Sequence, residues 1–187
     1  MDSSSSIGAD NYNSSLIFVN RVIDSFAVGP SNAQVAVVLF SDTAQVLFNL
    51  SAYSDKTSLQ AAVRRTPYLN GGTYLTPGLQ LLLSTVYTAG NGARSDASKM
   101  AIIITDGQFP NATGPAQQCK TAGIQLAAVG VGSGIDVAVL QGLISDPNFY
   151  FNASNYDGLS SLIATLSTQI CGATATQPSE FVHCFDP

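Results

Sequence analysis

Histidine is almost absent from this 187-residue sequence; His183, close to the C-terminus, is the only one. Ser-His-Asp and Cys-His catalysis both need an imidazole to carry a proton, and a histidine in a terminal tail is usually just solvated. Those two reaction classes are set aside. Charge is scarce as well: Asp, Glu, Lys and Arg make up 10% of the chain, against roughly 25% in an average globular protein. Only seven residues are Lys or Arg and the formal net charge is −5, which argues against nucleic acid or an anionic membrane surface as partner. No apolar run approaches the roughly 18 residues needed to cross a bilayer. The cysteines Cys119, Cys171 and Cys184 lack the CxxC or Cys/His spacing of a zinc site. Gly130-Val131-Gly132-Ser133-Gly134 is GxGxG, not the GxGxxG of dinucleotide sites, and reads as a strand-to-helix turn.

Apolar residues make up 45% of the chain, and its length suits one domain with its own core. Leu16, Val19, Val22, Ile23 and Phe26 recur at helical spacing within residues 11–28, and Gly29-Pro30 ends that helix. Residues 34–40 form a β-branched run expected of a strand covered on both faces. Residues 44–50 alternate, so the two strands read as a hairpin at a sheet edge. Further strands are expected over 100–105, 123–129 and 149–151. Helices are expected over 58–65, late in 111–121, over 137–144 and over 158–170, with another capped by Thr76 and carrying Pro77 at its first position. Strands alternating with helices predict an α/β fold: a doubly wound, mainly parallel, Rossmann-like sheet with one antiparallel edge strand and helices on both faces.

Ligands of such sheets bind at the carboxyl ends of the strands, and oxygen-bearing side chains gather where those ends should be. Asp2, Ser4 and Ser6 alternate within Asp2-Ser3-Ser4-Ser5-Ser6-Ile7-Gly8. A short turn would aim one carboxylate and two hydroxyls at a single point, a hard-oxygen set suited to Mg2+ or Mn2+. Acidic-serine runs also serve as helix caps or linkers. Two later stretches weigh against that simpler reading. Thr73 in Gly71-Gly72-Thr73-Tyr74-Leu75-Thr76-Pro77-Gly78-Leu79 places a hydroxyl before a helix, and Asp106 in Ile102-Ile103-Ile104-Thr105-Asp106-Gly107 places a carboxylate at the end of a buried strand.

DxSxS, GGTxxxxGL and an apolar strand ending in TDG, in that order, resemble the pattern of von Willebrand factor type A (vWA) domains, the fold shared with integrin I domains. The similarity continues to Cys171. It implies a metal-ion-dependent adhesion site formed by Asp2, Ser4, Ser6, Thr73 and Asp106, directly or through water. It also implies an extracellular protein ligand, bound through a Glu or Asp carboxylate that completes the coordination of the Mg2+ or Mn2+. In integrin-type members, rearrangement at the metal is linked to movement of the last helix, here 158–170. The surface loops expected to choose the ligand are 8–11, 70–74 and 108–114.

The reading is therefore a non-enzymatic, secreted adhesion domain. The alternatives are a structural extracellular-matrix module that associates with collagen or with itself, and a Mg-dependent hydrolase, which would want a further carboxylate cluster or base. The domain is expected over 1–172, with 173–187 a linker or the start of a following module. The family's metal loop follows a central apolar strand that is not in this sequence, nor is a signal peptide, so the natural protein is expected to extend upstream. Cys171 and Cys184 are a plausible disulfide in an oxidising compartment, and Cys119 a small buried apolar residue. Sequons at Asn13, Asn49, Asn111 and Asn152 lean towards a secreted glycoprotein.

Overall fold

Leu39 and Phe40 show how the molecule is layered. They are neighbours on one strand, 0% and 2% exposed, yet they belong to separate apolar clusters. Successive side chains on a strand point to opposite faces, so a strand buried at both positions must be covered twice. The computed structural model describes residues 1–174 and shows both covers. On one face lie α1 (Ala9–Asp24), α2 (Lys56–Arg64) and α6 (Ile163–Thr174), contributing Leu16, Val22, Leu59, Val63 and Leu166 to the first cluster. On the other lie α3 (Leu75–Leu81), α4 (Thr113–Thr121) and α5 (Val137–Leu143), contributing Leu79, Ala116, Cys119, Leu140 and Leu143 to the second. Cys119 is a free, buried thiol, packed as the apolar residue it was expected to be.

The strands between these layers are β1 (Val37–Phe40), β2 (Ala44–Phe48), β3 (Lys99–Thr105), β4 (Ile124–Val131) and β5 (Tyr150–Ala153). β1 and β2 form the antiparallel edge hairpin, with Phe40 opposite Ala44. β3, β4 and β5 form a parallel sheet in which Ile103 is opposite Ala128 and Val129 opposite Phe151. The predicted α/β architecture is present, a parallel sheet with an antiparallel edge and helices on both faces.

Residues 1–3 lie between the two sheets. The Asp2 amide donates to the Ile104 carbonyl at 2.9 Å on one side, while on the other Ser3 donates to Phe40 O at 2.9 Å and Phe40 donates to Met1 O at 3.1 Å. Asp2 thus makes a parallel bridge with Phe40. Among the described residues this short stub is what joins β1 to β3, and α1 is the first element.

Several boundaries differ from the sequence reading, each for a local reason. Helix α1 stops at Asp24, not residue 28, because Ser25 and Phe26 donate three residues back, to Val22 and Ile23, and tighten the last turn. The strand expected over 34–40 is paired only over Val37–Phe40, since its partner β2 ends at Phe48, opposite Val37. Thr76 does not cap α3: the helix begins at Leu75 after Tyr74, whose amide is held by Ser41 O at 3.0 Å, so Pro77 sits at its third position. α3 ends in a single π turn, Leu82–Val86, with Tyr87 N–H donating to Leu82 O. Gly130 and Val131 belong to β4, and the turn comes later, at Gly132, whose φ of 84° is in the left-handed region glycine tolerates. The final helical stretch begins as a 3-10 segment, Asp157–Leu162, before α6. Asp55 and Asp136 cap α2 and α5 through their side chains.

Candidate functional site

The site grows from the end of the stub. Asp2 is 1% exposed, and its carboxylate accepts from two donors: the Ser4 amide at 2.9 Å and Thr105 Oγ1 at 2.6 Å. The chain then turns outward, with Ile7 buried at 3% to anchor the turn and Ser5 and Ser6 left exposed. Ser4 Oγ and Ser6 Oγ share a hydrogen bond at 3.0 Å, and Ser6 Oγ donates to Asp106 Oδ1 at 2.9 Å. Asp106 follows the last residue of β3, so the strand end and the turn meet side chain to side chain.

Thr73 reaches the same place from the 71–73 loop. A methyl group placed on Gly107 would lie 3.7 Å from Ser6 Oγ and 3.8 Å from Thr73 Oγ1, so both hydroxyls face one small volume beside Asp106. The loop is tied from both sides. Ser5 N–H donates to Gly71 O at 2.8 Å, Gly71 N–H donates to Ser41 Oγ at 3.0 Å, and Gly72 N–H donates to Asp42 Oδ1 at 2.8 Å. Asn70 donates to Ser3 O and takes a positive φ of 59° to enter the loop. Tyr68 clips the turn from beneath: its Oη donates to Ser4 O at 2.9 Å and accepts from Gly8 N–H at 3.2 Å. All five residues singled out from the sequence therefore come together, Asp2 and Ser4 on the floor and Ser6, Thr73 and Asp106 towards solvent.

The electrostatics of this cluster are one-sided. Burial pushes the Asp106 carboxyl above its ordinary range, the Ser6 hydrogen bond opposes that shift, and the nearby Asp2 charge adds to it. Among the described residues, the partners of the two carboxylates are hydroxyl and amide groups, not lysine or arginine. The Tyr156 hydroxyl faces Asp106 but is buried without a well-formed hydrogen bond, and burial together with the Asp106 charge raises its pKa. Among the described residues no three His, Cys, Asp or Glu side chains converge, so a thiolate or imidazole metal centre is not built here. Two carboxylates and three hydroxyls, all hard donors with no positive side chain bonded to them among the described residues, fit a divalent cation of the Mg2+ or Mn2+ kind.

Sequence reasoning missed the supports. Thr105, Tyr68, Ser41, Asp42 and Tyr156 carry or flank the five, and only Thr105 left a signal, as the polar residue that ends the buried stretch of β3. His183 and the Cys184 half of the expected disulfide lie outside the described residues; Cys171 is disulfide-bonded.

A family model for the von Willebrand factor type A domain matches residues 1–165. Human matrilin-3 is 34% identical over 177 residues, which is 91% of this chain and 36% of the matrilin. The collagen alpha-1(XII) chain of Notophthalmus viridescens is 30% identical over 176 residues, 92% of this chain and 19% of the collagen. The chain thus spans about a third or less of these relatives' length. Among solved structures, proximal thread matrix protein 1 from the mussel byssus, with a zinc-occupied MIDAS motif, superposes with a TM-score of 0.84 at 26% identity, over 89% of this chain and 45% of that one. One of these relatives is named a matrix protein and another a collagen chain, and the assignment is non-catalytic. On the strength of a match that runs almost from end to end, and of strands and loops laid out as that match requires, the chain belongs to the von Willebrand factor type A domain family.

Proposed function

We propose that this domain is an extracellular binding module that joins components of a matrix, and that it does so through a divalent cation. Asp2, Ser4, Ser6, Thr73 and Asp106 would hold Mg2+ or Mn2+, and the cation would supply a positive contact for a Glu or Asp carboxylate of a protein partner. The observation that carries this reading is the pair of carboxylates, one buried and one half-buried, whose hydrogen-bond partners among the described residues are hydroxyls and an amide. A cation removes the repulsion between them and lets a domain of net charge −5 meet an acidic partner. Matrix assembly is the reading taken because one solved relative is named a thread matrix protein and another relative is a collagen chain. An extracellular setting is supported by the sequons, of which Asn13, Asn111 and Asn152 are exposed, while Asn49 is partly buried and bonded to Asn91.

The test is binding of the 187-residue chain to reconstituted collagen fibrils, and to itself, in Mg2+, in Mn2+ and in EDTA. Saturable binding that disappears in EDTA and in Asp106→Ala, with the thermal midpoint of the variant within a few degrees of the parent, is the expected result. Binding indifferent to EDTA would retain the matrix role and remove the cation from it. Absence of any binding to either partner would sink the matrix reading itself.

A further inference from the structure

The hydroxyl of Tyr156 is buried without being used. The residue is 9% exposed, and among the described residues its Oη makes no well-formed hydrogen bond. Its neighbours of the same kind are satisfied: Tyr12 Oη donates to Pro67 O at 2.9 Å, and Tyr68 Oη donates to Ser4 O at 2.9 Å. The Tyr156 ring belongs to the same apolar cluster as Ile7, Val131 and Leu159, and phenylalanine would serve that packing equally well. A buried hydroxyl left unpaired costs stability, so its presence at this position points to an acceptor close at hand.

The backbone fixes where Tyr156 sits. β5 ends at Ala153, opposite Val131 of β4, and Gly132 N–H donates to Ala153 O at 2.8 Å. Gly158 N–H donates to Asn155 Oδ1 at 3.0 Å and Leu159 N–H donates to Tyr156 O at 3.3 Å, so the turn into the 3-10 segment Asp157–Leu162 is held on both sides of Tyr156. The carboxylates that act on its hydroxyl are Asp106 first and Asp2 second. Asp2 already accepts from Ser4 N–H and Thr105 Oγ1, whereas Asp106 is held through Oδ1 by Ser6, and a carboxylate can accept at both oxygens. We propose that Tyr156 is a positioning residue for Asp106: when a divalent cation is held at the oxygen cluster, the Tyr156 hydroxyl donates to the Asp106 carboxylate and fixes its rotation. This role rests on the cation reading of the site and adds to it a residue outside the five, one that touches the carboxylate and not the cation. Donors to a ligating carboxylate set its orientation and the affinity for metal, and a bond to a charged acceptor is the stronger kind. The hydroxyl therefore contributes in one state only. Without the cation it has no bond to lose; with the cation it adds to affinity.

The test is Tyr156→Phe in the full 187-residue chain, compared with the parent by urea denaturation in EDTA and by calorimetric titration with Mg2+ and with Mn2+. The expected result is a denaturation midpoint in EDTA equal to or above the parent's, together with Mg2+ affinity weaker by about tenfold or more. A tyrosine ultraviolet difference spectrum should appear when Mg2+ is added to the parent and be lost in the variant. Tyr68→Phe supplies the contrast: it removes bonds already made to Ser4 O and Gly8 N–H, so its midpoint falls in EDTA. Unchanged Mg2+ affinity in Tyr156→Phe overturns the proposed role and leaves the cation site standing. A midpoint in EDTA that falls as that of Tyr68→Phe does also overturns it, because the hydroxyl would then be bonded without any cation. If the parent binds neither cation, the cation site is lost and the role of Tyr156 with it.

Discussion

Thr105 shows what single residues contribute here. It is fully buried, and its hydroxyl gives the Asp2 carboxylate one of its two hydrogen bonds. Thr105→Val keeps the shape and removes the donor, leaving a buried carboxylate oxygen without a partner. A loss of about 1.5–3 kcal/mol is expected for a bond to a charged group, read as a lower denaturation midpoint in urea, while Thr105→Ser should lose distinctly less. The residues that approach one another were legible in the sequence because carboxylates and hydroxyls sat where strand ends were expected. What satisfies them was not. Tyr68 lies more than 60 positions from the Ser4 carbonyl it holds, and no local pattern in a sequence announces a bond across that separation.

At the scale of elements, the 71–73 loop has little freedom to move. A methyl group on Gly71 would collide with the Asp42 carboxylate and lie 2.7 Å from Ser41 Oγ, both of which anchor this loop. Gly71→Ala is therefore expected to cost about 1–3 kcal/mol, the range for overpacking, seen as a fall in thermal midpoint. If the cation reading is right, Mg2+ affinity measured by calorimetry should fall with it. The same anchoring explains why α3 starts earlier than its sequence suggests. Thr76 and Pro77 make a sound N-terminal signal locally, but Ser41 O captures the Tyr74 amide and the helix takes its start from there. Strand and helix types were legible because their apolar periodicities differ. Ends were not, since they depend on what lies alongside: residues 34–36 have strand composition, but β2 ends opposite Val37 and they are not paired as a strand.

For the 187-residue chain as a whole, one energetic feature is the buried amine of Met1 between β1 and β3. Burial lowers the Met1 amine from its ordinary 8.0 to about 5, with the Asp2 charge opposing that shift only in part. Between those two pH values the unfolded chain holds a proton that the folded chain does not. Stability is therefore fully present above pH 8 and is lost as pH falls towards 5, by up to about 4 kcal/mol for a shift of this size. Urea denaturation at several pH values, comparing the free chain with its N-acetylated form, isolates this contribution, because acetylation removes the amine and flattens the difference.

Residues 1–3 belong to two structures at once, the bridge between β1 and β3 and the root of the turn that presents Ser4 and Ser6. Fraying of those residues would release the Asp2 backbone from Ile104 and Phe40 and carry its carboxylate away from Thr105. The pairing of residues 1–3 with both strand edges therefore also holds in place the carboxylate from which the oxygen cluster starts, so the order of the cluster is set by backbone bonds made on its far side.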